Sequence, residues 1–288
     1  MKIVENKNMK ILLIQENGRH KENREFRECF SLQKSFNKLG HEATVWGLGH
    51  DNFNETPLWE EYDWIINLEN YDSGWVPSLS NVKLPIKFLW SIDAHFRGEE
   101  VYEEAFKKGK YTYMLHSAQH LVKKDYHIWF PNCFDDNLIK PLNIDKKYNF
   151  GFCGNYVNRA QILNWLRETQ QLHLDIFVIG ESMVKSINSY SCHFNYNMDF
   201  KKSPAINYRN FETIGCGTLL LTSQSSEYEK LGFKDGVNCF IYNSIDEIVE
   251  KMNYIKNNDT TEIAKNGLLL SKTHTYDNRV IELIKKLQ

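Results

Sequence analysis

The chain has 288 residues, of which 42% are hydrophobic and 25% charged, so it has enough apolar material for folded cores and little room for long disorder. Its 35 basic and 37 acidic residues give a formal net charge of -2, which gives no general reason to expect nucleic acid or an anionic membrane as the main partner. No apolar run approaches the roughly 20 residues of a membrane helix, and the six scattered cysteines form no C-x-x-C pair. We expect a folded cytoplasmic protein without stable membrane insertion, with association at a membrane surface left open.

The first predicted elements are a strand at KILLI, a helix in EFRECFSLQKSFNKLG that ends at Gly40, and a strand at HEATVWG. This order is typical of a parallel α/β sheet. The loop after the first strand, QENGRHKEN, supplies Glu16, Asn17 and Arg19 as candidate residues on the acceptor side of a reaction. The alternative interpretation is a solvated turn.

Further strands are predicted at YDWIINLE, PIKFLWSI and YTYML, with a helix in GEEVYEEAFKKGK. Asp93 and His95 follow PIKFLWSI, and in extended backbone they would share a face at the carboxyl edge of the sheet. There a base could take a proton from an acceptor hydroxyl, so both are candidate catalytic residues. Alternatively, Asp93 caps a helix near Gly98 and His95 is merely exposed.

The alternation restarts after Lys147 with YNFGFCG, the helix NRAQILNWLRE, a strand at HLDIFVIG and a mixed segment at SCHFNYNMDF. A helix NYRNFETIG and strands at TLLLTS and NCFIYN follow. Two more helices have predicted starts in Ser244-x-x-Glu247 and Asp259-x-x-Glu262, which read as capping boxes.

This pattern predicts an α/β protein with two Rossmann-like doubly wound domains that face a central cleft. The segment DYHIWFPNCFDDNLIKPL, with two prolines around an acidic turn, indicates the exit from a first domain over residues 1–140. A second domain covers 141–272, and residues 273–288 form a helix that can pack back toward the first. We expect the ligand site in the cleft, at the carboxyl ends of the strands.

The stretch NYRNFETIGCGTLLLTS carries a charge pair next to a glycine-containing break. The carboxylate of Glu212 suits the adjacent hydroxyls of a ribose. Arg209, three residues earlier on the same helical face, could pair with Glu212 or reach a phosphate. The alternative is a surface ion pair, with glycines that only allow close packing.

The run NYRNFETIGCGTLLLTSQSSEYEKLGFKDGVNCFIY resembles the C-terminal nucleotide-binding domain of GT-B glycosyltransferases, particularly the bacterial group-1 subset similar to spore-maturation proteins. The matching features are an R-x-F-E element, a small-residue pair with glycine, an apolar strand that ends in Thr, and a later D-G turn. YNFGFCGNYVNR resembles the opening of that domain, and WFPNCFDDNLIKP resembles the stretch between domains. Matching pieces cover most of residues 125–288, whereas the first 120 residues match only in their general βαβ plan.

The resemblance implies a glycosyltransferase with a nucleotide-sugar donor, UDP-sugar being favoured over GDP-sugar. Glu212 would bind the ribose hydroxyls, and Gly154 would let the backbone approach the diphosphate. Arg209, with Lys201 or Lys202, would stabilise the departing nucleoside diphosphate, so that neither a metal nor a cofactor is required. The candidate donor-binding residues are Gly154, Asn155, Arg159, Lys201, Lys202, Asn207, Arg209 and Glu212.

Several functional questions stay open at this point. Many retaining relatives have a glutamate eight residues before the ribose-binding one, where this chain has Pro204, so the stereochemistry is undetermined. A nucleotide-sugar epimerase and an inactive nucleotide-binding module of the same fold are the alternatives. The acceptor could be a glycan, a lipid-linked sugar, a protein or a modified nucleic acid.

Two patterns that contain histidine argue against a zinc site and against a Cys-His catalytic dyad. His116 and His120 have the spacing of zinc ligands on a helix, but no accompanying glutamate motif supports that interpretation, and a structural pair is favoured. Cys192 and His193 are adjacent in a predicted strand, so their side chains would point to opposite faces and could not form a catalytic dyad. We therefore predict no metal site.

Overall fold

The computed structural model describes residues 8–71, 74–196 and 206–287. The chain forms two compact units, of which the first combines Met1–Pro131 with Tyr276–Gln288 and the second is Asn132–Thr275. The unit boundaries therefore lie at 131/132 and 275/276. The amino-acid pattern predicted them at 140/141 and 272/273.

The stretch just after Pro131 is held by contacts within the second unit. Asn132 Nδ2 donates to the carbonyl of Ile206 over 3.0 Å. Phe134 forms an isolated parallel bridge with Thr275. These bonds explain why the acidic, proline-containing segment groups with the second unit and is not the tail of the first.

The first unit is built on a six-stranded sheet in which every neighbouring pair is parallel. Its strands are β1 Lys10–Ile14, β2 Glu42–Trp46, β3 Trp64–Leu68, β4 Ile86–Ser91, β5 Tyr113–His116 and β6 His127–Trp129. They lie in the order β2-β1-β3-β4-β5-β6. All residues of β3 are buried, as expected for a parallel strand covered on both faces.

In the described part of this unit, the α-helices between the strands are α1 Glu28–Lys38, α2 Ala94–Arg97 and α3 Glu99–Gly109. α1 packs against β1 and β2. It ends two residues before Gly40, which has a φ of 87°, the left-handed conformation that glycine adopts without steric cost. The predicted end of this helix at Gly40 is therefore confirmed.

The second unit contains a five-stranded sheet, also parallel throughout. Its strands are β7 Tyr148–Gly154, β8 His173–Ile176, β9 Tyr190–Asn195, β10 Leu219–Ser223 and β11 Phe240–Tyr242. Their order is β11-β10-β9-β7-β8. The two parallel sheets confirm the predicted α/β class.

The helices of the second unit are α4 Ala160–Gln170, α5 Gly180–Ser189, α6 Tyr208–Gly215, α7 Tyr228–Leu231, α8 Ile245–Asn257 and α9 Thr261–Ser271. The predicted cap of α8 is confirmed, because Ser244 Oγ accepts the Glu247 amide over 3.2 Å. The predicted cap of α9 is wrong by one residue. Thr260 occupies the N-cap position, and Asp259 Oδ1 accepts the amide of Thr261 over 2.9 Å.

The break between α6 and β10 has a packing cause at each glycine. A Cβ added to Gly215 would lie 2.5 Å from the ring of Phe134, so only glycine fits against that ring. Gly217 has a φ of 68° and turns the chain into the strand. The close-packing interpretation of these glycines is therefore correct, whatever the charged residues beside them do.

The last helix, α10 Tyr276–Leu287, belongs to the first unit. Ser35 Oγ of α1 donates to Asp277 Oδ1 over 2.6 Å, and Lys38 Nζ lies 2.5 Å from Asp277 Oδ2. Arg279 Nε donates to the carbonyl of Pro131 over 3.1 Å. Val280 is fully buried, so α10 contributes to the core of the first unit.

Two elements differ from the predicted pattern. The predicted strand HLDIFVIG ends as β8 at Ile176, after which Phe177 has a φ of 58° and α5 begins at Gly180. β6 was not predicted as a strand. The six cysteines are free thiols and all are buried. Within the part of the chain that the structure describes, no helix has both the length and the apolar character to cross a membrane.

Candidate functional site

The strand order of the second unit reverses between β7 and β9, since β7 is followed by β8 on one side and β9 by β10 on the other. In open parallel sheets, ligands bind beyond the carboxyl ends of the strands at such a reversal. The pairing of β7 with β9 ends at Gly151 opposite His193, although β7 continues to Gly154. The residues around the ends of these two strands, together with α6, form the candidate donor site.

The charge pair of α6 lies at this site. Arg209 Nη1 donates to Glu212 Oε2, and Arg209 Nε donates to the carbonyl of Cys153 over 2.9 Å. Glu212 is only 9% exposed, so the pair is not a solvated surface ion pair. Burial lowers the pKa of Arg209, but the Glu212 carboxylate raises it, and the net shift is upward. The guanidinium therefore stays charged and ties α6 to the end of β7.

A second guanidinium lies close to this pair. Arg159, at the N-cap of α4, donates through Nη1 to the carbonyl of Asn155 over 2.9 Å and through Nε to that of Tyr196 over 3.1 Å. Burial lowers the pKa of Arg159, and the positive charge of Arg209 lowers it further. Among the described residues, no carboxylate pairs with Arg159. The cluster of Arg159, Arg209 and Glu212, called the donor cluster below, thus carries excess positive charge.

Gly154 is the last residue of β7, and Asn155 is the first residue after the strand. Gly154 is half-buried, and a Cβ there would lie 3.3 Å from the ring of Phe152. Asn155 is exposed, and its Oδ1 accepts the amide of Val157 over 2.8 Å. Because the Asn155 carbonyl accepts from Arg159, the end of β7 lies next to the donor cluster.

Asn207 occupies the N-cap of α6 and joins a buried amide network. Its side chain exchanges hydrogen bonds of 3.3 and 3.4 Å with Asn195 at the end of β9. Asn195 Nδ2 also donates to Asn210 Oδ1 over 2.7 Å. This network fixes the start of α6 against β9. The predicted residues Lys201 and Lys202, and also Pro204, lie outside the described residues.

In the first unit the strand order reverses between β1 and β3. The loop after β1 is ordered by Asn17, whose Nδ2 donates to the carbonyl of Gly49 over 3.1 Å and whose Oδ1 accepts the Gly18 amide over 3.0 Å. Glu16 is half-buried beside it, and Arg19 is exposed. The three predicted acceptor-side residues therefore lie near the carboxyl edge of this sheet.

Asp93 and His95 lie at the same edge, but their predicted shared extended face is wrong. Asp93 is the N-cap of α2 and has a φ of -106° and a ψ of 17°, so the chain turns there and His95 lies within a short helix. The Asp93 side chain makes no capping bond. Burial raises the pKa of Asp93, whereas burial and the charge of His120 lower the pKa of His95 to about 4. His95 is therefore a neutral, half-buried imidazole at pH 7.

Glu69, which the sequence pattern did not single out, organises this turn. It follows β3 in the left-handed region with a φ of 61°. Its Oε2 accepts the amides of Ile92 at 2.6 Å and Asp93 at 3.2 Å, and its Oε1 accepts the hydroxyl of Tyr102. Burial raises the pKa of Glu69 to about 7. Its position directly after a buried strand was the available signal, because such positions meet at the carboxyl edge.

The two histidines with the spacing of zinc ligands lie in separate elements. His116 is buried at the end of β5, with Nδ1 2.7 Å from Ser91 Oγ, and His120 lies in a separate 3₁₀ turn. They do not share a helical face. In the described residues, no three His, Cys, Asp or Glu side chains are grouped so that they could hold a metal ion. Cys192 and His193 are both fully buried.

The second unit combines a strand reversal in a parallel sheet with a donor cluster that carries excess positive charge. These two features are typical of a Rossmann-like unit that binds a ligand. Comparison with known proteins places this unit in a family. Residues 136–285 match the model of the glycosyl transferase-like family. Because this match spans more than half of the chain, the chain belongs to that family and is a glycosyltransferase. A comparison with the curated proteins finds no match.

Solved structures with the same fold span nearly the whole chain. HepE of Anabaena, in complex with UDP and glucose, is 12% identical with a TM-score of 0.65, covering 97% of this chain and 100% of its own. Sucrose-phosphate synthase of Thermosynechococcus elongatus is 11% identical with a TM-score of 0.62, covering 97% and 99%. An α-glucosyltransferase in complex with UDP-glucose and DNA is 12% identical with a TM-score of 0.65, covering 98% and 99%. These are GT-B structures, and the predicted GT-B fold is confirmed.

Proposed function

We propose that this glycosyltransferase takes its sugar from a UDP-sugar that is bound by the second unit. The observation that carries the proposal is the donor cluster, in which the Arg209–Glu212 pair lies close to a second guanidinium, Arg159, at the strand reversal of a parallel sheet. A diphosphate would balance the excess charge. HepE and the α-glucosyltransferase, which were solved with UDP or UDP-glucose, support uridine as the nucleoside of the donor.

The members of the donor cluster have separate roles in this proposal. Arg209 holds Glu212 Oε2, which leaves Oε1 to accept a ribose hydroxyl. Arg159 and Arg209 stabilise the charge that develops on the departing diphosphate, with Lys201 or Lys202 as the further cation expected from the sequence. Gly154, Asn155 and Asn207 shape the turn and the helix start around the nucleotide. Because guanidinium and ammonium groups supply the charge, we propose that transfer needs no metal.

The first unit would hold the acceptor near Glu16, Asn17 and Arg19. The acceptor hydroxyl attacks the anomeric carbon, the bond from that carbon to the diphosphate oxygen breaks, and the hydroxyl proton passes to a base. Asp93 and His95 are the candidate bases. The imidazole of His95 is neutral at pH 7 and can take up a proton, because burial lowers its pKa to about 4. A glycan, a lipid-linked sugar, a protein or a modified nucleic acid would each supply such a hydroxyl.

The first test is thermal stabilisation by UDP-, GDP-, ADP-, CMP- and dTDP-sugars. A ligand that binds only the folded protein stabilises it by about 2.7 kcal/mol at a hundredfold excess over Kd. We expect the melting temperature to rise with UDP-sugars and to rise equally in EDTA. Stabilisation by another nucleotide alone would replace UDP in the proposal, and loss of the effect in EDTA would contradict metal independence.

Substitution of Glu212 tests the ribose contact. Glu212→Ala should weaken UDP binding by ten- to a hundredfold, because a hydrogen bond to a charged group contributes about 1.5–3 kcal/mol. Since alanine also leaves Arg209 buried without its partner, Glu212→Gln is measured in parallel and should lose less. The matched control is Glu262→Ala, an exposed glutamate of α9. Calorimetric titration with UDP measures all four proteins, and a Glu212→Ala protein that binds like wild type would sink the assignment.

Product analysis separates transfer from the alternatives. With UDP-sugar and no added acceptor, slow release of UDP and free sugar indicates transfer to water. An isomeric sugar nucleotide would indicate an epimerase instead. Binding without any turnover above background would indicate an inactive module.

We also propose a cytoplasmic location. The six cysteines are free and buried, which suits a reducing compartment. Sedimentation with anionic vesicles would measure whether the protein also associates with a membrane surface.

A further inference from the structure

His193 lies at the strand reversal of the second unit, where β7 and β9 stop pairing. It is the last residue of β9 that pairs with β7, its partner being Gly151, and its side chain is fully buried. Two residues further along β7, the amide of Cys153 donates to His193 Nε2 over 3.1 Å and not to a strand carbonyl. The imidazole therefore replaces the missing backbone partner at the point where the two strands separate.

The other side of the ring continues into α6. His193 Nδ1 lies 2.5 Å from Thr213 Oγ1, and the Thr213 hydroxyl donates to the carbonyl of Arg209 over 2.5 Å. Because Nε2 accepts the Cys153 amide, the proton must be on Nδ1, which then donates to Thr213. Every donor in this chain of bonds has one acceptor, and the ring has no freedom to change its tautomer without losing a bond.

The protonation state of His193 agrees with these bonds. Burial, and then the positive charge of Arg209, lower the pKa of His193 to about 3, so the ring is neutral at physiological pH. A charged imidazolium would carry a proton on both nitrogens and could not accept the amide of Cys153. Thr213 is also fully buried, so water does not compete for its hydroxyl.

We propose that His193 is a positioning residue for donor binding, coupling the turn after β7 to α6 through Thr213. The proposal rests on the proposed function. Cys153 immediately precedes Gly154 and Asn155, while α6 carries Arg209 and Glu212, so the chain of bonds joins the two halves of the donor site. The direct bond from Arg209 Nε to the Cys153 carbonyl is a second tie between the same elements. Together they hold both backbone groups of Cys153.

Two substitutions of Thr213 distinguish this role from packing. Thr213→Val keeps the shape of the side chain but removes the hydroxyl, whereas Thr213→Ser keeps the hydroxyl and loses a methyl group. If packing alone mattered, serine would be the more harmful change, because it leaves the larger void. If the chain of bonds matters, valine is the more harmful change, because it leaves the Nδ1 proton of His193 without an acceptor.

The measurement is the Kd of UDP by calorimetric titration, at a temperature where all variants are folded. We expect Thr213→Val to weaken UDP binding about tenfold and Thr213→Ser to stay within about twofold of wild type, the loss of one buried hydrogen bond being the cause. Equal Kd values for wild type and Thr213→Val would overturn the coupling role while leaving UDP binding intact. Failure of wild type to bind UDP would instead overturn the proposed function, and the coupling role with it.

A nitrogen NMR experiment on the wild-type protein keeps the idea testable if Thr213→Val does not fold. The His193 ring should show a protonated Nδ1 and an unprotonated Nε2 from pH 5 to pH 8, and the Nε2 signal should shift when UDP binds. The opposite tautomer, or a doubly protonated ring in this range, would overturn the assignment.

Discussion

Glu69 is a carboxyl group that ionises at a higher pH than usual, although several hydrogen-bond donors surround it. Its side chain accepts two backbone amides and one hydroxyl, and Arg97 Nε lies 3.5 Å from Oε1. Nevertheless, burial and the nearby charge of Asp93 raise its pKa from 4.5 to about 7. Carboxyl groups with such raised pKa values concentrate at functional sites, and Glu69 holds the turn that carries Asp93.

The raised pKa of Glu69 predicts a pH dependence of stability. In the unfolded chain the group ionises near 4.5, whereas in the folded protein it ionises near 7, so the folded state binds the proton more tightly between these values. Its stabilising contribution is present below pH 4.5 and is lost as the pH rises through 7. One pKa unit corresponds to about 1.36 kcal/mol, so the loss between pH 5 and pH 8 should be on the order of 2 kcal/mol.

Urea unfolding of wild type and Glu69→Gln across this range measures the effect. The glutamine variant should show a flatter dependence on pH, because its side chain does not titrate. Parallel curves for the two proteins would mean that Glu69 ionises normally.

At the scale of single elements, the two helices α8 and α9 form a natural comparison of capping. Ser244 accepts the Glu247 amide at the start of α8, whereas the Thr260 side chain makes no cap bond at the start of α9. We expect Ser244→Ala to cost about 1 kcal/mol of unfolding free energy, because a free amide loses its acceptor. Thr260→Ala should cost at most a few tenths of a kcal/mol of unfolding free energy, because it removes no cap bond. Chemical denaturation measures both, and equal costs would contradict the cap assignment.

The strands were predictable because their apolar runs are continuous and their ends are marked by turns. β6 was missed because it is only three residues long and lies within the proline-containing segment. α5 was missed because the apolar residues after β8 continue the strand pattern, while the chain turns at Phe177 through a positive φ that the sequence does not announce. Apolar periodicity reports burial, and a single left-handed residue leaves that periodicity unchanged.

The candidate site was only partly readable from the sequence, for a similar reason. Arg209 and Glu212 are close in sequence, so their pairing follows from helical spacing. By contrast, Glu69 meets Asp93 and His193 meets Thr213 only through the fold, across 24 and 20 residues. Such contacts depend on strand order, which local patterns do not specify.

At the scale of the whole molecule, the first unit is made of two segments separated by the whole second unit. α10 buries Val280, Leu283 and Ile284 and bonds to α1 through Asp277. Each fully buried apolar side chain of this kind contributes roughly 2 kcal/mol. The stability of the first unit therefore depends on residues that follow the second unit in the sequence.

Truncation after Thr275 should accordingly weaken the first unit and spare the second. Hydrogen exchange followed by mass spectrometry should show faster exchange in peptides of α1, with peptides of α6 unchanged. The control is Asp277→Asn, which removes the ion pair with Lys38 but keeps an acceptor for Ser35, and should cost under about 1 kcal/mol. Unchanged exchange in α1 after truncation would show that α10 is dispensable for the first unit.

The separation of the first unit into two segments also orders events on the ribosome. Translation supplies every residue of the second unit before it supplies α10. The second unit can therefore complete its core while the first still exposes the apolar surface of α1 that α10 will cover. During synthesis the nascent first unit should be the part of this protein that engages chaperones, even though its β1 strand emerges before any residue of the second unit.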